Sequence, residues 1–183
     1  MGNWHQSLVV RRVSDEELGK VADVAINYLI ERKIIHAKQG DNVLRGDIGY
    51  GPGQNWAFVV EYPEENHFLR SLTNGMEICK GRTVFYADGR EFESISCPSC
   101  NANNLECDWG ELFSQWLSDP NSANLKCIKC GISNSISDYE FEPKWALSNL
   151  GFVFWNWPMF KKSFIDELEK VIGKTIILVE GKL

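Results

Sequence analysis

The chain is short of histidine, of positive charge and of long apolar runs, and each shortage excludes something. Its three histidines, His5, His36 and His67, are too scattered to read as a histidine-based metal or catalytic set. No apolar stretch approaches the roughly 18 residues of a membrane span, and the opening MGNWHQSLVV lacks a charged region followed by a long apolar core. The expectation is a cytoplasmic protein. Lysine and arginine number 19 against 25 acids, a formal charge of −6. That field disfavours nucleic acid and anionic lipid and favours a basic protein partner. No linker, repeat or low-complexity run divides the 183 residues, so one domain with an insert is the natural organisation.

Six cysteines are present, and four of them form two pairs. Cys97-Pro98-Ser99-Cys100 is answered by Cys127-Ile128-Lys129-Cys130-Gly131, each pair holding its thiols three positions apart. Two such pairs have the ligand number and spacing of a closed tetrahedral zinc site. A thioredoxin-type redox pair would leave the second C-x-x-C without a role. A site with four cysteine ligands leaves no position for a substrate water, so the expected cofactor is structural zinc rather than a catalytic metal. Cys107 lies seven residues beyond Cys100, outside the knuckle spacing, and Cys79 reads as a small core residue. The 26 residues between Cys100 and Cys127 exceed what a minimal ribbon needs. They accommodate a short helix at 109–117 whose Leu112, Phe113 and Trp116 share a face.

Patterning on either side of the knuckles is that of an α+β protein. A strand is predicted over 5–11, followed by a helix from Ser14, where Ser14 and Glu17 form a capping box. Leu18, Val21, Ala22, Ala25, Tyr28 and Leu29 make its buried face, and a strand at 34–37 would close a β-α-β unit. Further strands are expected at 56–62, 76–79, 83–86 and 91–95, with a short helix over 64–72. The end of the chain repeats strand, helix, strand at 150–155, 161–172 and 175–180. Two β-α-β halves in a mixed or antiparallel sheet give a ferredoxin-like expectation, with residues 1–96 and 143–183 as the α+β domain and 97–142 as a zinc-ribbon insert.

Two other stretches could bind something. GDIGYGPG places Gly46, Gly49, Gly51 and Gly53 within eight residues, but Gln54-Asn55-Trp56 follows where a phosphate loop needs Lys-Ser or Lys-Thr. A tight surface loop and a ligand-binding edge both fit. In GFVFWNWP, alternation puts Phe152 and Phe154 on one face and Val153 and Trp155 on the other, the mark of a central strand. Trp155, Trp157 and Phe160 then read either as core or as an aromatic lip for a ligand. Glu61, Glu64 and Glu65 around Pro63 read as a solvated acidic turn. A Cys79–His67 nucleophile pair has no positional support.

The residues WHQSLVVR, the CPSC and CIKC pairs, FWNWP and the closing ILVEGKL resemble a family of small bacterial proteins without an assigned activity, over nearly the whole length. Some members carry a transporter-ATPase label, which this chain does not support because it has no Walker lysine motif. The resemblance implies a bacterial cytoplasmic protein and supplies no catalytic residues. Three readings of function follow. The first is a non-enzymatic acidic protein-binding module, such as an immunity-type inhibitor or adaptor for a basic partner. The second is a small-ligand binder or enzyme using the glycine stretch and the aromatic turn. The third is a zinc-ribbon nucleic-acid binder, weakened by two lysines against seven acids between Cys97 and Glu142.

Overall fold

The computed structural model describes residues 2–44, 48–87, 91–119 and 123–182. In chain order the elements are β1 (Trp4–Val10), α1 (Asp15–Glu31), β2 (Ile35–Gly40), β3 (Gly49–Pro52), β4 (Met76–Phe85), β5 (Ser94–Ser96), α2 (Trp109–Ser118), β6 (Asn124–Lys126), β7 (Ser133–Ser135), β8 (Glu140–Glu142), β9 (Ala146–Trp155), α3 (Lys162–Ile172) and β10 (Ile176–Lys182). Short 3-10 helices lie at Trp56–Phe58, Asn66–Arg70 and Ile136–Asp138.

Six strands form one sheet in the order β10-β1-β9-β4-β3-β2, and every pairing in it is antiparallel. The architecture is α+β. α1 begins where the Ser14 hydroxyl accepts from the Glu17 N–H and the Glu17 carboxylate accepts from the Ser14 N–H, which satisfies two otherwise orphan donors. Its buried residues are Val21, Ala22, Ala25 and Leu29, and the two alanines let the helix approach the sheet closely. Phe164 and Leu168 are the buried residues of α3, which Gly173 ends in a left-handed conformation. Both helices pack with Leu8, Val10, Phe152 and Phe154 in one cluster, so they cover the same face. On the opposite face Val9, Val153, Trp155 and Val179 pack with Val43, Phe85 and Ala146. β9 therefore buries large side chains on both sides, as its alternation requires.

The hairpin β2–β3 forms the far edge of the sheet, where the chain departs from expectation. β2 does follow α1, but β9, β4 and β3 separate it from β1, so the first β-α-β unit does not close with neighbouring strands. The two strands expected at 76–79 and 83–86 are one strand, β4, which keeps pairing with β9 across a bulge between Lys80 and Thr83. Gly81, at φ 95°, supplies the backbone conformation that the bulge needs. Residues 56–62 do not form a strand. Trp56 turns in a 3-10 helix to meet Phe68 edge-on at 4.9 Å, leaving only a bridge from Val60 to Phe160. The helix expected over 64–72 is the single 3-10 turn Asn66–Arg70. No helix among the described residues is long and apolar enough to cross a membrane.

Candidate metal centre

Each cysteine pair is delivered by a three-residue strand. β5 runs into Cys97 and pairs with β8, while β6 runs into Cys127 and pairs with β7. Beneath them Ile95, Trp109, Trp116, Ile136, Tyr139 and Phe141 form a second apolar cluster that includes Cys97 and Cys127. α2 contributes both tryptophans. Asp108 caps its start by accepting from the Glu111 N–H, and the Arg82 guanidinium on β4 binds the Leu117 and Ser118 carbonyls at its end.

The two knuckles match atom for atom in their backbone bonding. The N–H of Cys97 reaches the Ala102 carbonyl at 2.9 Å, and that of Cys127 reaches Ile132 at 3.0 Å. The N–H of Asn101 returns to the Cys97 carbonyl and that of Gly131 to the Cys127 carbonyl. Asn101 and Gly131 are both left-handed, at φ 57° and 71°, a conformation open to glycine and tolerated by asparagine. The N–H groups of Ser99 and Lys129 point at the sulfurs of Cys97 and Cys127, at 3.3 and 3.4 Å.

All four sulfurs lie within 4.8 Å of one another, and the cross-knuckle separations are 4.0 Å for Cys97–Cys130 and 3.7 Å for Cys100–Cys127. Four ligands at ~2.3 Å from a common centre place tetrahedral sulfurs ~3.8 Å apart. The cluster can thus hold a metal ion. The electrostatics are uneven. The Cys130 N–H, together with the Lys129 N–H, the Asn104 amide and the Cys100 thiol, outweighs burial and brings Cys127 down to about 6. At Cys130 the Ile132 N–H acts to lower the value, but burial and the three neighbouring sulfurs prevail and raise it to about 11. Tyr139, buried beside Cys97 and Cys127, is pushed up to about 12 by burial first and by those sulfurs second. Burial also raises Cys107, which stands outside the four-sulfur cluster.

Two asparagines complete the centre, and the C-x-x-C spacing alone does not reveal them. Asn104 directs its side-chain N–H2 to the Cys127 sulfur at 3.6 Å and accepts from the Ile128 N–H at 3.1 Å. Asn134 donates to the Cys97 sulfur at 3.8 Å and accepts from the Ser99 hydroxyl at 3.2 Å. Each asparagine braces the opposite knuckle. The signal was present as a repeat, because Asn104 and Asn134 each stand four residues after the second cysteine of their own pair. Such outer partners orient thiolate ligands and offset their charge.

No family model, curated protein or solved structure matches the chain. The family resemblance therefore rests on the quoted residues alone, and function has to be argued from this geometry.

The other candidate residues do not gather around the cysteines. Gly46 lies outside the described residues. Gly49 and Gly51 sit in β3 and are buried, as is Gly53 just after it. A side chain at Gly49 would collide with Val43, and one at Gly53 with the Lys33 backbone. The Gly53 N–H is also spent on the Ile34 carbonyl, at 2.7 Å. These glycines allow close packing rather than forming an open phosphate-binding loop. Trp155 is buried and donates its indole N–H to Glu77 at 3.1 Å, and Phe160 packs between Phe154 and Phe164. Trp157 is buried too, with its indole N–H on the Asn74 carbonyl at 2.7 Å. Cys79 and Phe68, the neighbour of His67, pack on opposite faces of the sheet, so the Cys79–His67 pair is not formed.

Proposed function

We propose that this is a non-enzymatic binding protein in which zinc, held by Cys97, Cys100, Cys127 and Cys130, staples residues 97–142 as an insert in an α+β body formed by 1–96 and 143–183. The acidic exterior of that insert receives a basic protein partner. Four thiolates at tetrahedral separation suit zinc, a metal without a redox or geometric demand of its own, and a reducing compartment keeps the thiols available. In the body, the strands β10-β1-β9-β4 with α1 and α3 are read as a ferredoxin-like core, to which the β2–β3 hairpin adds an edge.

The observation that carries the partner reading is the distribution of acids on the insert. Glu106, Asp108, Glu111, Asp119, Glu140 and Glu142 are all exposed. Asp138, the seventh, is half-buried and already engaged by Arg11 and Arg12, at 3.4 and 2.9 Å. The body's own arginines thus illustrate how a cationic surface meets this insert. Ile128 and Ile132, 64% and 51% exposed at the second knuckle, add an apolar contact. Nucleic acid is the weaker reading, since phosphate binding would need the cations that the insert lacks.

The test uses the zinc-loaded full chain as bait in lysate of the source cells, beside a variant carrying E106Q, D108N, E111Q and D119N. A basic protein retained by the parent at low salt and lost with the variant supports the reading. Retention unchanged by neutralising these four acids overturns it.

A further inference from the structure

A cleft of about 750 Å³ opens where the start of β1, the 3-10 helix Asn66–Arg70 and the turn between β9 and α3 meet. It lies apart from the cysteine cluster and independent of the partner reading. Its apolar lining includes Trp4, Phe68, Trp157 and Met159. Phe68 and Trp157 belong to the core, each 1% exposed, with ring centroids 5.4 Å apart, whereas Met159 is 48% exposed. Phe68 and Trp157 are thus a rigid floor beneath the cleft, and the half-buried Trp4 and the Met159 thioether supply its accessible apolar surface.

Asn156 holds the three walls together. Its backbone is left-handed at φ 60°, the conformation that ends β9 sharply. Its side-chain oxygen accepts from the Trp4 N–H at 2.9 Å, and its N–H2 donates to Thr73 O at 2.7 Å and to Asn3 Oδ1 at 3.0 Å. One strained residue therefore pins β1, the segment after the 3-10 helix and the β9 turn in one arrangement, as a preformed site requires.

Polar residues select the ligand's charge. His67 and Arg70 are three apart on a 3-10 helix, where positions i and i+3 eclipse, and both line the cleft. Neither side chain has a hydrogen bond or ion pair among the described residues. In a chain of net charge −6, an arginine left without a carboxylate is a cation with spare capacity. Glu65 lines the same cleft and offsets the Arg70 charge overall, so no excess of positive charge remains for a dianionic phosphate, and only a local ion pair with Arg70 is on offer. Arginine's planar fork matches a carboxylate in bidentate fashion.

We infer that this cleft binds a small organic acid, its apolar body against Trp4 and Met159 and its single carboxylate on Arg70, with His67 beside it. Charge-assisted hydrogen bonds of this kind are worth about tenfold or more in affinity.

The experiment is calorimetric titration of the metal-loaded full chain with indole-3-acetate and with its neutral amide. The acid is expected to bind at least about tenfold tighter than the amide. Arg70→Gln, at an exposed position outside every core cluster, should abolish that preference. Met159→Trp should weaken both ligands by filling the space beside the aromatic lining. Equal affinity for acid and amide, a preference that survives Arg70→Gln, or no heat from millimolar acid would each overturn the inference.

Discussion

The helix-backed sheet and the cysteine-bearing segment bury their apolar side chains by different means. In the first, two helices and six strands supply a cluster that reaches from Leu8 to Ile176, and long antiparallel ladders satisfy the backbone. Around the cysteines, the paired strands are three residues long, and among the described residues the helices are α2 and the 3-10 turn Ile136–Asp138. So little regular structure has few ladder bonds to resist opening, and a metal held by the four cysteines would join two distant turns in their place. Charge divides in the same way. Residues 97–142 carry −5 of the net −6, leaving seventeen basic and eighteen acidic residues for the rest of the chain. The segment whose cysteines can hold a metal ion is also the one that presents acid to its surroundings. β4 and β9 link the two, since Val84 and Leu147 pack beside the cysteine cluster while Ile78 and Phe152 pack under the helices.

Metal removal should separate the two regions most sharply. Chelation, or Cys97→Ser, is expected to abolish amide protection across β5 to β8 and to release about one metal ion per chain. α1, α3 and the centre of the sheet should keep their protection. Exchange measured by mass spectrometry, with metal analysis alongside, checks this; uniform loss of protection would show that the regions are one cooperative unit.

Phe152→Ala probes the opposite side. Phe152 is fully buried in the central strand, so its truncation should cost about 3–5 kcal/mol and lower the whole denaturation midpoint. Metal content below that transition should be unchanged.

Smaller effects test the braces at the metal. Asn104→Ala removes a fully buried side chain that bonds Ala102, Ile128 and Cys127, and metal affinity should fall about 10-fold or more. Asn134→Ala, at a half-buried position, should follow in the same direction with a smaller loss. A competitive chelator titration of both variants would show whether the pseudo-symmetric braces are unequal, as their burial implies.

The smallest expected change belongs to the α1 cap. Ser14→Ala should cost about 1 kcal/mol without altering metal affinity. Glu17, which shares this cap, is held below its ordinary value by Lys174 first and by the Ser14 N–H second. Because its folded value is depressed, its contribution is complete above the ordinary carboxylate range and is lost as pH falls through the folded value. Thermal melts between pH 3 and pH 6 should therefore show a steeper decline for the parent than for Glu17→Gln.

Local chemistry was readable where it acts over a few residues. The Ser14–Glu17 box, the periodicity of α1, α2 and α3, the two-sided burial of β9 and the two knuckles all depend on neighbours in sequence, and all take the expected form. Other features depended on distant partners. Residues 56–62 have strand composition, but Trp56 finds Phe68, and the chain coils to bring them together. Gly49 and Gly53 have the look of a surface loop until Val43 and the Lys33 backbone fill the space beside them. Trp157 could have lain on a surface or in the core, and its bond to Asn74, far away in sequence, places it in the core.

By itself the sequence determined that four thiols would be presented in two matched turns, because a C-x-x-C turn and the left-handed residue after it are set by local backbone sterics. It also determined the acid excess of the segment between them, since charge is a property of composition. Only the tertiary structure decided that the two turns face each other across a space fit for one ion, with Asn104 and Asn134 crossing to brace them. Only it placed Arg70 at an aromatic cleft. Both juxtapositions join residues from distant elements, and their positions follow from how the sheet and its helices pack, which no local pattern encodes.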